Sequence, residues 1–145
     1  MKRFVRMVCL VLALVLTMAV PVSAAETVNE RASSYFMSAS AYFCNVTSTK
    51  FEIWFDVTAL DVMSELGANK IVLERSTDLT SWTTVKTYEK ADYTQLTKEN
   101  RLSYSAGVSY TYTTGYYYRA TVTLYAKSSS GSAISSVTSS VLDLT

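Results

Sequence analysis

The chain has no histidine, a single proline, four glycines and two cysteines in 145 residues. Each shortage excludes something. Without histidine, the commonest general base and the commonest metal ligand are both missing, so serine–histidine and cysteine–histidine catalytic arrangements are ruled out by composition. An ordinary zinc site falls on the same ground. Gly67, Gly107, Gly115 and Gly131 stand too far apart for a phosphate-cradling loop. The composition therefore calls for no cofactor.

The first 24 residues read as an export leader. Lys2, Arg3 and Arg6 form a basic start, "MVCLVLALVLTMAV" from Met7 to Val20 is an apolar run, and "PVSAAE" offers small residues to a signal peptidase. The cut falls after Ala24, with Ala25 the close alternative. The run is 14 residues long, short of the roughly 17 to 25 that span a bilayer, so no stable membrane insertion is expected after cleavage. Cys9 and Pro21 leave with the leader. Cys44 then stands alone, no disulfide can form within one chain, and with nothing nearby to activate its thiol it reads as a small buried hydrophobe. Export without disulfides suggests a Gram-positive source and an extracellular location.

From Ala25 onward the chain carries ten basic and twelve acidic residues, a net charge of −2. That balance argues against nucleic acid and anionic membranes as partners. The 121 residues left suit one domain: a short polar lead over 25–33, then a single β domain over 34–145.

What that domain does have is alternation. In "KFEIWFDVTA", Phe51, Ile53, Phe55 and Val57 fall on one face, with Glu52, Trp54 and Asp56 on the other. "NKIVLERS" and "SWTTVKTYE" flank the turn "TDLTS" and read as a hairpin. "LSYSAGVSYTYTTG" puts Tyr104, Ala106, Val108, Tyr110 and Tyr112 on one side. In "GYYYRATVTLYAK" the even positions from Tyr116 to Ala126 share a face, and Tyr117, Arg119, Thr121, Thr123, Tyr125 and Lys127 share its opposite. "YFMSASAYFCNV" is the first strand and "AISSVTSSVLDL" the last. "TALDVMSELGA" repeats Leu60, Met63 and Leu66 at helical spacing before Gly67, which predicts a short helix. The expected architecture is an all-β two-sheet sandwich of about seven strands with one short helical connection.

"IVLERSTDLTSWTTV" followed by "TTGYYYRATVTLYAKSSSGS" resembles the third-to-fourth-strand hairpin and the last two strands of bacterial fibronectin type III modules. That likeness implies an immunoglobulin-like sandwich and makes Tyr116 the tyrosine corner, the residue whose hydroxyl bonds to upstream backbone. Leu79 and Thr80 stand where such modules carry turn glycines. Over most of the exported chain, "YFMSASAYF", "FEIWFDVTA", "VMSELGANKIVLERS", "WTTVKTY" and "YYYRATVTLYAKSSSG" resemble small secreted proteins of clostridia and related Gram-positive gut bacteria. That second likeness implies location and source, and assigns no functional residue.

Carboxylates are the remaining catalytic currency, as paired acids can hydrolyse glycosides without histidine. Glu52 and Asp56 lie four apart on a strand, about 13 Å between Cα atoms at roughly 3.3 Å per residue, too far to cooperate. Asp61 and Glu65 would share a helix face and repel. The sequence therefore favours a non-catalytic extracellular binding module over a small carboxylate-dependent glycan hydrolase. Its partner would be an unidentified protein or a glycan. The expected ligand-facing surface is Tyr117, Arg119 and Tyr125, with Arg119 also placed to pair with Glu74. Trp54 points outward on the other sheet. A third reading is structural, with copies associating through edge strands, because "AISSVTSSVLDL" has few charges to guard an exposed edge.

Overall fold

The computed structural model describes residues 35–145. The leader expected over 1–24, the polar lead over 25–33 and Ser34 lie outside the described residues. Seven strands follow in order: β1 (Phe36–Cys44), β2 (Lys50–Ser76), β3 (Thr83–Glu89), β4 (Thr97–Thr111), β5 (Tyr116–Ser128), β6 (Gly131–Thr138) and β7 (Leu142–Leu144). A single 3-10 turn, Thr94–Leu96, precedes β4. All pairings are antiparallel and join one curled sheet. Among the described residues no helix is long and apolar enough to cross a membrane.

The 27-residue β2 organises the rest. Kept straight it would extend about 90 Å at roughly 3.3 Å per residue, far more than a domain of this size can hold, so it has to bend. It bends at two irregularities. Pairing with β4 jumps from Thr58↔Ser103 to Met63↔Arg101, and pairing with β5 skips Asn69 between Ala68 and Lys70; extra residues on one strand turn it and increase its twist. The first half of β2 runs between β1 and β4. The second half pairs with β5 along one edge and with β3 along the other, and β6 and β7 extend the sheet beyond β5.

The sheet thus has two arms that fold face to face. Phe51, Ile53, Phe55 and Val57 from one arm meet Tyr118, Ala120, Val122 and Leu124 from the other in a single core, each at most 2 % exposed. Burying each of the larger side chains contributes about 1.5–3 kcal/mol, which is what holds the arms closed. Tyr88 of β3 adds a bond across them, donating its hydroxyl to the Ser109 carbonyl at 2.9 Å.

Three expectations are corrected. The segment "TALDVMSELGA" is strand: Glu65, Leu66 and Gly67 are paired on both sides, to Glu99, Lys98 and Thr97 and to Lys127, Ala126 and Tyr125. A helix of about two turns is marginal alone, and backbone bonds along both edges outweigh its local preference. Gly67 has φ +152°, and a Cβ there would lie 2.1 Å from the Leu96 carbonyl, so glycine serves a close backbone approach and ends no helix. The final strand is divided into β6 and β7 by Ser139, whose hydroxyl accepts the Ala120 N–H at 3.0 Å and donates to the Ser140 carbonyl at 2.8 Å. The corner tyrosine is Tyr118: its hydroxyl donates to the Thr113 carbonyl at 2.8 Å and accepts the Thr113 N–H at 3.2 Å. Tyr116, half-buried, lies under the Arg75 guanidinium instead, 4.2 Å from ring centre.

Candidate functional site

The curl gives the molecule two poles. At one, the start of β2, the end of β4 and the start of β5 gather rings: Phe51 contacts Phe43, Tyr110, Tyr112 and Tyr118 at centroid distances of 5.1 to 5.7 Å. Ring pairs at such distances add about 0.5–1.5 kcal/mol each beyond their burial. Two of the hydroxyls are also spoken for, since Tyr112 donates to the Thr47 carbonyl at 2.8 Å and Tyr118 closes its corner. This pole is filled.

The outer face of β5, where the ligand-facing residues were expected, is largely occupied by its own neighbours. Arg119 pairs with Glu74 at 2.7 Å, as the register Glu74↔Arg119 requires, and its guanidinium lies 4.3 Å from the centre of the Trp82 ring. Tyr125 is covered by the Lys90 ammonium at 4.6 Å, which also reaches Glu65 at 2.7 Å. Of the three, only Tyr117 has a side chain without a hydrogen bond or ring contact among the described residues. Tyr117 and Tyr125 stand eight residues apart on one strand, about 26 Å at roughly 3.3 Å per residue. They form no common platform. Trp82 was missed because it sits in the connection just before β3, and nothing in the chain order sets it over Arg119. On the other arm, Trp54 lies across Gly107, its directly paired residue, where a Cβ would come within 2.6 Å of the indole. That ring patches a glycine in the sheet.

At the opposite pole the bend of β2 leaves a cleft of about 620 Å³. Leu60, Asp61, Val62, Met63 and Ser64 line one wall, Ser128, Ser129 and Ser130 of the β5–β6 turn another, and Tyr35 and Asn100 complete it. The register jump between Thr58 and Met63 pushes Leu60 and Val62 outward, 54 % and 58 % exposed. Asp61 accepts the Val62 N–H on one oxygen at 2.7 Å; its second oxygen carries no bond among the described residues. The Asn100 side chain likewise has no partner there, on a backbone held at φ +53°. Ser128 and Ser130 hydroxyls stand 2.8 Å apart, with the Tyr35 hydroxyl 3.5 and 3.4 Å away. The cleft presents an anionic acceptor, an amide and several hydroxyls beside apolar walls, the mixture that orients a small polar ligand.

The acids are dispersed. Glu52 accepts hydrogen bonds from Trp54 Nε1 and Asn45 Nδ2, both at 2.8 Å, and these hold its carboxyl below the usual range. Burial pushes Glu65 up, but bonds from Lys90 and Thr97 and the charges of Lys90 and Lys127 outweigh it and leave the group lowered. Asp78 is drawn well below the carboxylate range by the Ser81 and Thr80 N–H groups and the Ser76 hydroxyl. Asp143 is lowered by the Thr145 N–H and hydroxyl. Among the described residues no three acids or cysteines gather into a metal-binding group. Cys44, expected as a small buried hydrophobe, is half-buried; burial first, and the Glu52 charge second, push its thiol up.

Comparisons of the chain with protein-family models, with curated proteins and with solved structures found no match.

Proposed function

We propose that the chain is an exported, non-catalytic binding module of fibronectin type III-like design, whose ligand enters the cleft at the bend of β2. The strand order supports the design. If β2 counts as two strands, one arm carries the first, second and fifth of eight strands in sequence and the other the third, fourth, sixth, seventh and eighth, with β3 beside the third as the extra strand of variable-type immunoglobulin sheets. The Tyr118 corner at the start of β5 fits the same design. The observation that carries the binding reading is the cleft itself, with unpaired acceptor and amide groups of Asp61 and Asn100 beside exposed Leu60 and Val62.

A neutral, hydroxyl-rich ligand such as a glycan matches this chemistry: hydroxyls exchange hydrogen bonds with carboxylate, amide and serine, and the C–H face of a sugar ring packs on aliphatic side chains. The non-catalytic part of the reading is supported by the carboxyls, because a general acid needs a raised pKa and the four acids that shift all shift down. Glycan-array binding followed by two double variants tests the site. Asp61→Ala with Asn100→Gly should abolish binding, whereas Tyr117→Ala with Tyr125→Ala should leave it intact. The reverse pattern would move the site to the outer face of β5, and absence of binding to any glycan would remove the ligand class.

A further inference from the structure

The strands whose outer edges are open among the described residues differ in how they are protected. β3 carries Lys86 and Glu89, and the first residues of β4 include Lys98, Glu99 and Arg101. Charged side chains along an edge discourage a further strand from adding to it. β6 has no such protection; β1 and the second half of β4 are likewise uncharged, but β1 breaks register against β2 between Phe36 and Ser38, and Tyr88 of β3 reaches over β4 to the Ser109 carbonyl. The eight residues of β6, "GSAISSVT", include no charge, no proline and no register irregularity against β5. On its outward face Ile134 stands directly beside Tyr125 and is 48 % exposed. Lys90 covers Tyr125 from the other side, so an apolar stripe runs from the Lys90 stem through Tyr125 to Ile134 and stops at the open edge.

We infer that the β6 edge is the docking site for a second copy of this chain, paired antiparallel about a two-fold axis through Ile134. Independent of the cleft, this rests on three properties of the strand. An uncharged edge meets itself without like-charge repulsion, which matters for a chain whose exported part carries a net charge of −2. A two-fold axis requires a self-complementary patch, and a neutral strand of serine, threonine and small apolar residues is one. With Ile134 opposite its own copy, Ser132 faces Ser136, Ala133 faces Ser135 and Gly131 faces Val137, so outward residues meet outward residues throughout. The two stripes then join as Tyr125–Ile134–Ile134–Tyr125 across a continuous sheet, and the isoleucine that was exposed becomes part of a cross-strand pair.

Size-exclusion chromatography with light scattering on the chain from Ala25 should show a dimer whose fraction rises with concentration from the micromolar to the millimolar range. Ile134→Lys, which adds one charge at the axis and leaves the core untouched, should return it to monomer with unchanged circular dichroism. In a Cys44→Ser background, Ile134→Cys should form an intermolecular disulfide under mild oxidation, and Tyr117→Cys should not. A strict monomer at millimolar concentration overturns the inference. So does a dimer that survives Ile134→Lys.

Discussion

The two poles are built from the same strands and behave as opposites. At the aromatic pole Phe51, Tyr110, Tyr112 and Tyr118 fill the space between the arms, and backbone carbonyls take up the Tyr112 and Tyr118 hydroxyls. At the other pole the same curl leaves Leu60 and Val62 exposed and Asp61 and Asn100 with bonding capacity to spare. A chain with eleven tyrosines invites the view that its rings are its binding surface. Here most rings close the fold, and the end that is open to a ligand holds one tyrosine and four serines.

The largest effect should come from the aromatic pole. Tyr118→Ala removes a fully buried ring and should cost about 3–5 kcal/mol in urea unfolding. Tyr118→Phe keeps the ring but strands the Thr113 N–H and carbonyl, and should cost about 1–3 kcal/mol. If the phenylalanine variant is as stable as the parent, the corner bonds are dispensable and the pole is held by packing alone.

Next is the alkaline limb. Burial pushes the Tyr88 hydroxyl up to about 12, with smaller contributions from Tyr93 and Tyr110. A phenol whose pKa is raised by folding gives its full stability below the unfolded value of about 10, because both states are then protonated. Between about pH 10 and 12 the unfolded chain gains by ionising and the folded chain does not, so stability falls by about 2–3 kcal/mol. In Tyr88→Phe that part of the pH dependence should vanish. A parent and variant with the same slope over this window would show that Tyr88 ionises freely in the folded protein.

The smallest effect should be at the cleft. Leu60→Ser and Val62→Ser remove exposed side chains and should each change stability by no more than about 0.5 kcal/mol while weakening ligand binding. A loss comparable to that of Tyr118→Phe would mean that the bend of β2 is a structural keystone, and the contrast between the poles would collapse.

Much of this fold is legible in the residues. The strict alternation in "FEIWFDV" and "YYYRATVTLYAK" identifies both strands and their faces, and Phe51, Ile53, Phe55, Tyr118, Ala120, Val122 and Leu124 are buried as the period of two requires. Glu74 and Arg119 meet across neighbouring strands, as expected for them. The site was far less legible. Its walls come from residues 60–64, 100 and 128–130 together with Tyr35, segments with no shared motif, and the bend of β2 was disguised by Leu60, Met63 and Leu66 at helical spacing.

By itself, then, the sequence determined the strands, their inward faces and the chemistry that a chain without histidine does not attempt, because side-chain alternation and composition are local properties. Only the tertiary structure decided that β2 would run unbroken through both arms, that Tyr118 and not Tyr116 would close the corner, and that Arg119 and Tyr125 would be engaged by Trp82 and Lys90. Those outcomes depend on register, and register is set by which distant strand supplies the other half of each backbone bond.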